Sequence, residues 1–497
     1  MMWKTGGARC LAVLGLAVIG IAAGDRDLRL VDAAKKADGG ALRGLLEQGV
    51  DVTASQADGT TALHWTAYWD DTEGADLLIR AGARVNAANE LGVTPLWVAC
   101  ENASAPMVQR LLKAGANPNA ALLSGETPLM TAARTGSAVV VKQLLDNGAD
   151  VNVKERARGQ TALMWAIAQR HADVVEVLLA HGADVRARSN VWTQVVKTTA
   201  DQKSHPDYIV DIAQGGYTPL LFAARVGDLL SAKLLLDAGA DVDAAAPYGT
   251  SPLVLAAHSG HGELAVWLLE KGADPNAAGA GYSALHAATL RHDAKLAGAL
   301  LIHGADPNAP LRRSTPARRQ SADFHLPPAF VGATPFWLAA RYGQAEIMRL
   351  LMKHGADPRF VHHLDFWGQG AGYGVAHFIE GDTTTLMAAA GMGGRVSSGE
   401  GLVPVPDPDQ VEAMTLEAVK VATESGVDLN AANVDGNTAL HSLAARGYDA
   451  VVRFLVEKGA KLDVTNKKGQ TPLAAAMAGP RPRESTVELL RKLGTKE

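Results

Sequence analysis

Residues 127–152 read TPLMTAARTGSAVVVKQLLDNGADVN, and this stretch decides the fold. Thr127 has the side chain of a helix N-cap, able to accept a free backbone N–H, and Pro128 suits the first helical position because its missing N–H needs no partner there. Leu129 points to a core. The Ala132–Ala133 pair keeps the first helix thin, so that a neighbour can stack closely, and the apolar positions around Leu144 and Leu145 mark the buried stripe of a second helix. Gly148 stands where a left-handed C-cap is expected, and Ala-Asp-Val after it begins a turn. The stretch is therefore one helix-turn-helix unit.

The unit recurs. Its opening phrase returns at Thr61, Thr94, Thr127, Thr161, Thr218, Ser251, Ser283, Thr334, Thr384, Thr438 and Thr471, in steps of 33, 33, 34, 57, 33, 32, 51, 50, 54 and 33. Six of the ten steps fall at 32–34, and the four longer ones read as the same period carrying inserted segments. A fixed period of this length means a solenoid. The phrase and period resemble the ankyrin repeat, over nearly the whole chain after its N-terminal segment. The resemblance implies an all-α ankyrin-repeat solenoid of about twelve repeats including caps, which works by binding other proteins and has neither catalytic residues nor a cofactor.

On this register 25–57 is an N-terminal capping repeat and 58–186 are repeats. An insertion at 187–216 is followed by repeats over 217–308, an Arg/Pro-rich insertion at 309–332 and a repeat at 333–358. A His-, aromatic- and Gly-rich insertion occupies 359–383. Repeats resume over 384–474, with an internal insertion at 391–408, and 475–497 form a polar C-terminal cap. Insertions in such arrays leave from the turns and extend one face without disturbing the stack.

The N-terminus sets a compartment. Lys4 and Arg9 precede an apolar run from Cys10 to Ala23, too short to span a bilayer as a helix and closed by the small residues Ala22, Ala23 and Gly24. Residues 1–24 read as a signal peptide cleaved near Ala23 or Gly24, with an uncleaved anchor as the alternative. The chain is then periplasmic or secreted and keeps no transmembrane span. Cleavage leaves Cys100 as the one thiol, at an Ala-like helix position where it should be buried and inert.

Composition and motifs narrow the function. With 47% hydrophobic residues and 20% charged, the chain can build a core, and since aromatics are only 5% that core rests on Ala, Leu and Val. A net charge of −5 argues against a general nucleic-acid binder. No phosphate-loop, zinc-protease, nucleophile-elbow or C-x-x-C phrase occurs. His181, His303 and His354, like Asp150, Asp184, Asp241, Asp274, Asp306 and Asp357, each recur at one repeat position, so both sets are structural: helix-end histidines and turn aspartates.

A partner should meet the two residues that follow each Ala pair, which the resemblance places on a concave face. These include Tyr68 and Trp69, Arg134, Gln169, Arg225, His258, Arg291, Arg341 and Tyr342, and Arg446. Five of nine such pairs hold Arg and none holds Lys, which favours a protein or peptide partner with an acidic surface. Trp65, Trp97, Trp165 and Trp337 read as packing residues, whereas Trp69 should be exposed and makes, with Tyr68, the best hot-spot candidate. In the insertions Arg312, Arg313, Arg318 and Arg319 could meet acidic groups. The segment 359–383 reads as a Gly-rich loop docked through aromatics such as Phe366 and Trp367. Two rival readings stand beside the scaffold. One is a structural subunit of an envelope complex docked through the insertions, and the other is a metal-dependent enzyme using His362, His363, Asp365 and His377.

Overall fold

The computed structural model describes residues 27–198, 206–316, 325–369, 376–393, 407–478 and 483–494. Its packing divides the chain into two compact units, Met1–Asn190 with Leu230–Ala240, and Val191–Leu229 with Asp241–Glu497. The signal-segment reading, Arg318 and Arg319 lie outside the described residues.

The architecture is an all-α repeat of 24 helices among the described residues. In the first unit the pairs are Arg29–Lys35 with Gly39–Glu47, Ala62–Tyr68 with Thr72–Arg80, Pro95–Glu101 with Ala105–Lys113, Pro128–Thr135 with Ala138–Asp146, and Ala162–Gln169 with Ala172–Ala180. First helices stack on first helices and second on second. The second unit runs from Pro219–Val226 through Pro252–Ser259 with Gly262–Glu270, Ala284–Leu290 with Ala294–Ile302, and Pro335–Arg341 with Ala345–Lys353. It ends in Thr385–Ala389 with Pro408–Glu424, Ala439–Arg446 with Asp449–Glu457, and Pro472–Ala478 with Glu484–Lys492. The helix Leu229–Asp237, which follows Pro219–Val226 in the chain, falls with the first unit from Leu230 onward.

The repeated phrase does what its chemistry dictates. Thr127 accepts the N–H of Met130 at 3.3 Å, and Thr94, Thr161, Thr218, Ser251, Thr334 and Thr384 cap their helices in the same way. Where the phrase ends in His, the ring takes a second role. Thr61 N–H donates to His64 Nδ1 at 3.1 Å, so that nitrogen is the acceptor and Nε2–H donates to Val93 O of the next repeat at 2.9 Å. His286 and His441 repeat the cap on Ser283 and Thr438. Burial holds all three histidines below the ordinary imidazole range, His286 at about 4.

Ala132, Ala133, Ala223, Ala224, Ala256, Ala257, Ala339 and Ala340 are fully buried, which is what close stacking of thin first helices requires. Trp65, Trp97 and Trp337 are buried and Trp165 is half-buried. Cys100 is buried, and burial pushes its thiol pKa well up, so it is chemically quiet.

Two insertions are hairpins, where the sequence reading has 359–383 as a loop and assigns no structure to 187–216. In 187–216, β1 (Val191–Lys197) pairs antiparallel with β2 (Ile209–Gly215), and in 359–383, β3 (Val361–Gln369) pairs antiparallel with β4 (Ala376–Thr384). Each is a separate two-stranded sheet. β-branched and aromatic residues in VWTQVVK and VHHLDFW favour the extended pleat once a second strand is opposite. The Gly-rich run at 368–374 begins inside β3, and 370–375 lie outside the described residues. The insertion at 391–408 has a different effect: it leaves a five-residue first helix, Thr385–Ala389, ahead of the 17-residue helix Pro408–Glu424.

Candidate interaction surface

The ends of the first helices carry the residues expected to meet a partner, and in the first unit they are well ordered by their neighbours. Tyr68 is half-buried between Trp65 and Trp69, edge-to-face with both, at ring centroids of 5.8 and 4.8 Å. Trp69 is 50% exposed, and its indole N–H donates to Lys35 O of the N-terminal helix pair at 3.1 Å. This pins the ring without covering it. Gln169 is exposed. Arg134 is not a free fork: it pairs with Glu101 and lies 4.0 Å from Glu126, whose carboxyl is pushed up by burial.

In the second unit Arg225 is exposed, with its guanidinium 5.5 Å from the Phe222 ring and 5.9 Å from the Tyr217 ring. His258 is half-buried beside Tyr282 at 5.5 Å. Arg291 donates to His258 O at 2.9 Å, and Arg446 donates to Gly391 O at 2.9 Å. Arg341 is pressed down to about pKa 10, first by burial and then by the nearby charge of Arg446. Tyr342 lies between Phe330 at 6.1 Å and His292 at 6.0 Å.

The expected Arg row therefore divides. Arg225 faces solvent, whereas Arg134, Arg291 and Arg446 have polar partners within the chain. Arg291 and Arg446 take part in a recurrent contact absent from the sequence reading: the last carbonyls of a first helix are met by a side chain from the next repeat. Asn102 donates to Ala67 O and Tyr68 O, His171 Nε2 lies 3.2 Å from Arg134 O, His261 Nε2 3.1 Å from Arg225 O, and Gln344 donates to Thr289 O. Gly136 and Gly227, both at positive φ, make room for it, since a Cβ there would come within 2.6 Å of His171 and 2.4 Å of His261. The same contact occupies the amide of Asn102, which begins the Asn102-Ala103-Ser104 glycosylation sequence.

A second ladder joins the turns. Asn119 donates to Gly148 O at 2.9 Å and accepts the N–H of Asp150 at 2.8 Å, and Asn86, Asn152, Asn276 and Asn308 make the same two bonds to their successors. Each of these five Asn stands four residues after its turn Gly, so the signal was present in the sequence. Asp150, Asp184 and Asp306 accept N–H groups two residues on, as turn aspartates should, and His181 and His303 meet helix carbonyls at 2.8 Å. Before the two hairpins this Asn is replaced, by Arg186 and Arg359.

The insertions of the second unit meet one another. His325 Nε2 lies 3.0 Å from Thr198 O, next to β1, and Tyr208, next to β2, accepts the N–H of Trp367 at 2.6 Å. His362 is buried against Trp337 at 4.6 Å with Nε2 2.9 Å from Ala329 O, and Trp337 Nε1 donates to Thr383 O at 3.2 Å. Phe366 and Trp367 are half-buried, while Arg312 and Arg313 are exposed and held through their backbone N–H groups to Gly281 O.

The histidines of the metal reading are separated by the pleat. His362 points inward, whereas His363 points outward to Asp382 Oδ1 at 2.9 Å, on the face shared by Asp365 and Glu380. Among the described residues no group of three or more His, Cys, Asp or Glu has metal-binding geometry. The side chain of His377 lies outside what is described.

Stacked helix pairs joined by hairpin turns, with capped Thr phrases, define a helical-repeat protein. Models of ankyrin repeats in three copies match residues 30–122, 108–189, 193–279, 220–311 and 411–496, and the single ankyrin repeat matches 331–363. The chain belongs to the ankyrin-repeat family. It is similar to Serine/threonine-protein kinase 12 of Arabidopsis thaliana, 37% identical over 62 residues, which are 12% of this chain and 14% of that protein. It is also similar to Protein phosphatase 1 regulatory subunit 27 of Homo sapiens, 37% identical over 57 residues, 12% of this chain and 37% of that protein. Both likenesses cover a minor part of the relatives' length. Ankyrin repeats are protein–protein interaction modules, and among the described residues no helix is long and apolar enough to cross a membrane.

Proposed function

We propose that this chain is a non-catalytic scaffold that binds a protein partner through the first-helix ends, in an exported compartment. The observation that carries it is Trp69: a large aromatic side chain, half exposed, fixed by Lys35 O and braced by Tyr68. An immobilised aromatic loses little rotamer freedom on binding, and Trp, Tyr and Arg dominate interface energetics. An acidic partner surface is supported by Arg225, whose guanidinium stays exposed over two aromatic rings. Export is supported by the basic, apolar and small-residue order of residues 4–24. The contacts among the three insertions favour a second reading, a subunit of an envelope complex docked through them.

The test compares capture by the wild-type chain from Asp25 onward with capture by Tyr68→Ala/Trp69→Ala, from envelope and culture fractions. A stoichiometric partner held by the first and lost by the second supports the reading. A partner retained equally by both removes this surface, and loss of that partner on deletion of 309–332 moves the contact to the insertions.

A further inference from the structure

β1 is an outer strand with no further strand beside it among the described residues. Its sequence is VWTQVVK, and every side chain but Val196 is exposed: Val195 is 66% exposed, Val191 55% and Trp192 45%, with Ile209 of β2 at 45%. β2 is the inner strand and buries Ile212 and Gly215. The sheet has two strands only, so one edge of β1 presents backbone N–H and C=O groups to no strand among the described residues. Natural edges are protected by charge, proline or a bulge. From Val191 to Val196 there is no charge and no proline, and the register with β2 is unbroken. The other hairpin shows the contrast, because its outward face carries His363, Asp365, Glu380 and Asp382.

We propose that β1 pairs antiparallel with β1 of a second copy of this chain, making a four-stranded sheet in the order β2, β1, β1, β2. The strand's own sequence selects this occupant. Centred on Gln194, the pairing sets Trp192 opposite Val196, Thr193 opposite Val195 and Val191 opposite Lys197, so aromatic and β-branched side chains face one another and the one charge never meets its copy. This is the in-phase register that uses all seven residues. A slip of one residue would set the two faces against each other. In the centred register Val191, Val195 and Ile209 of both copies lie on one face of the joined sheet, since Lys197 is opposite Ile209 in the hairpin. Two strands alone are marginal in water, and four with an apolar face are not.

The inference is independent of the partner surface at Trp69. Its test uses the full chain carrying Gln194→Cys or Lys197→Cys, under mild oxidation, with the wild type as baseline. Directly opposed strand residues lie about 5 Å apart, so Gln194→Cys should form a disulfide-linked dimer. The two copies of Lys197→Cys would be about 20 Å apart and should stay unlinked. Sedimentation equilibrium on the wild type should show a dimer that Val195→Lys, at an exposed position, weakens about tenfold or more without changing the circular dichroism. A wild type that stays monomeric at about 100 μM, equal linking of the two Cys variants, or a dimer untouched by Val195→Lys would each overturn the proposal.

Discussion

The two hairpins leave the same point of the repeat, between the Gly-Ala-Asp turn and the next Thr phrase, yet their strands do opposite things. In β3 alternate residues divide labour: His362 and Leu364 are buried against the helices, while His363 and Asp365 face solvent with Glu380 and Asp382 across the strand. In β1 the alternation sorts nothing, and apolar side chains stand exposed on both faces. Insertion site alone does not determine what a protruding strand is for. The identity of its outward residues does, because a charged face discourages further pairing and an apolar one invites it.

The comparison can be broken by mutation. Trp337→Ala removes the fully buried ring on which His362 packs and the indole N–H that holds Thr383 O, so urea unfolding should show a loss of about 3–5 kcal/mol. Trp192→Ala on the exposed strand should change stability by less than about 0.5 kcal/mol. Equal losses would mean that both hairpins are packed alike. Next comes His362→Ala, which leaves Ala329 O without its imidazole donor in a buried site and should cost about 1–3 kcal/mol.

The same histidine pair sharpens the comparison by pH. Burial lowers the pKa of His362, so its contribution to stability is complete above the unfolded value near 6.5 and erodes as pH falls toward the folded value. His363 is raised by its bond to Asp382, so its contribution is complete below 6.5 and fades as pH climbs through the raised value. Imidazole titration by NMR should therefore place adjacent residues on opposite sides of 6.5, and coincident midpoints would contradict the inward-outward assignment. A smaller loss than at Trp337 or His362 belongs to Tyr208→Phe. It takes the hydroxyl acceptor from the Trp367 N–H and should lower the unfolding midpoint by the equivalent of about 1 kcal/mol.

The helical frame was legible because each repeat states it independently: the Thr cap, the Ala pair and the Gly turn are local signals, and eleven copies fix the register. The environment of the first-helix ends was legible only in part. Position in the repeat correctly exposed Trp69, Gln169 and Arg225, but could not show that Arg291 and Arg446 turn back onto carbonyls of the preceding repeat, because that contact spans 33 and 55 residues. The hairpins were missed for a related reason. A strand's stability comes from its partner across the ladder, and neither Val191–Lys197 nor Val361–Gln369 declares a partner within its own window. Glycine and histidine density in 359–383 also drew the reading toward a loop and a metal, whereas period-two alternation in VHHLDFW was the better clue.

The asparagine ladder has a consequence for proteolysis. Where Asn86, Asn119, Asn152, Asn276 or Asn308 clamps a turn to its successor, a protease must break two side-chain bonds before it can draw the backbone into an extended cleavage conformation. At Arg186 and Arg359 the clamp residue is replaced by trypsin's own recognition residue, exposed and directly ahead of a hairpin. A brief tryptic digest should cut first at these two arginines and spare Lys113 and Lys142 in the clamped repeats, so that the earliest fragments map the places where the array was opened to admit new chain.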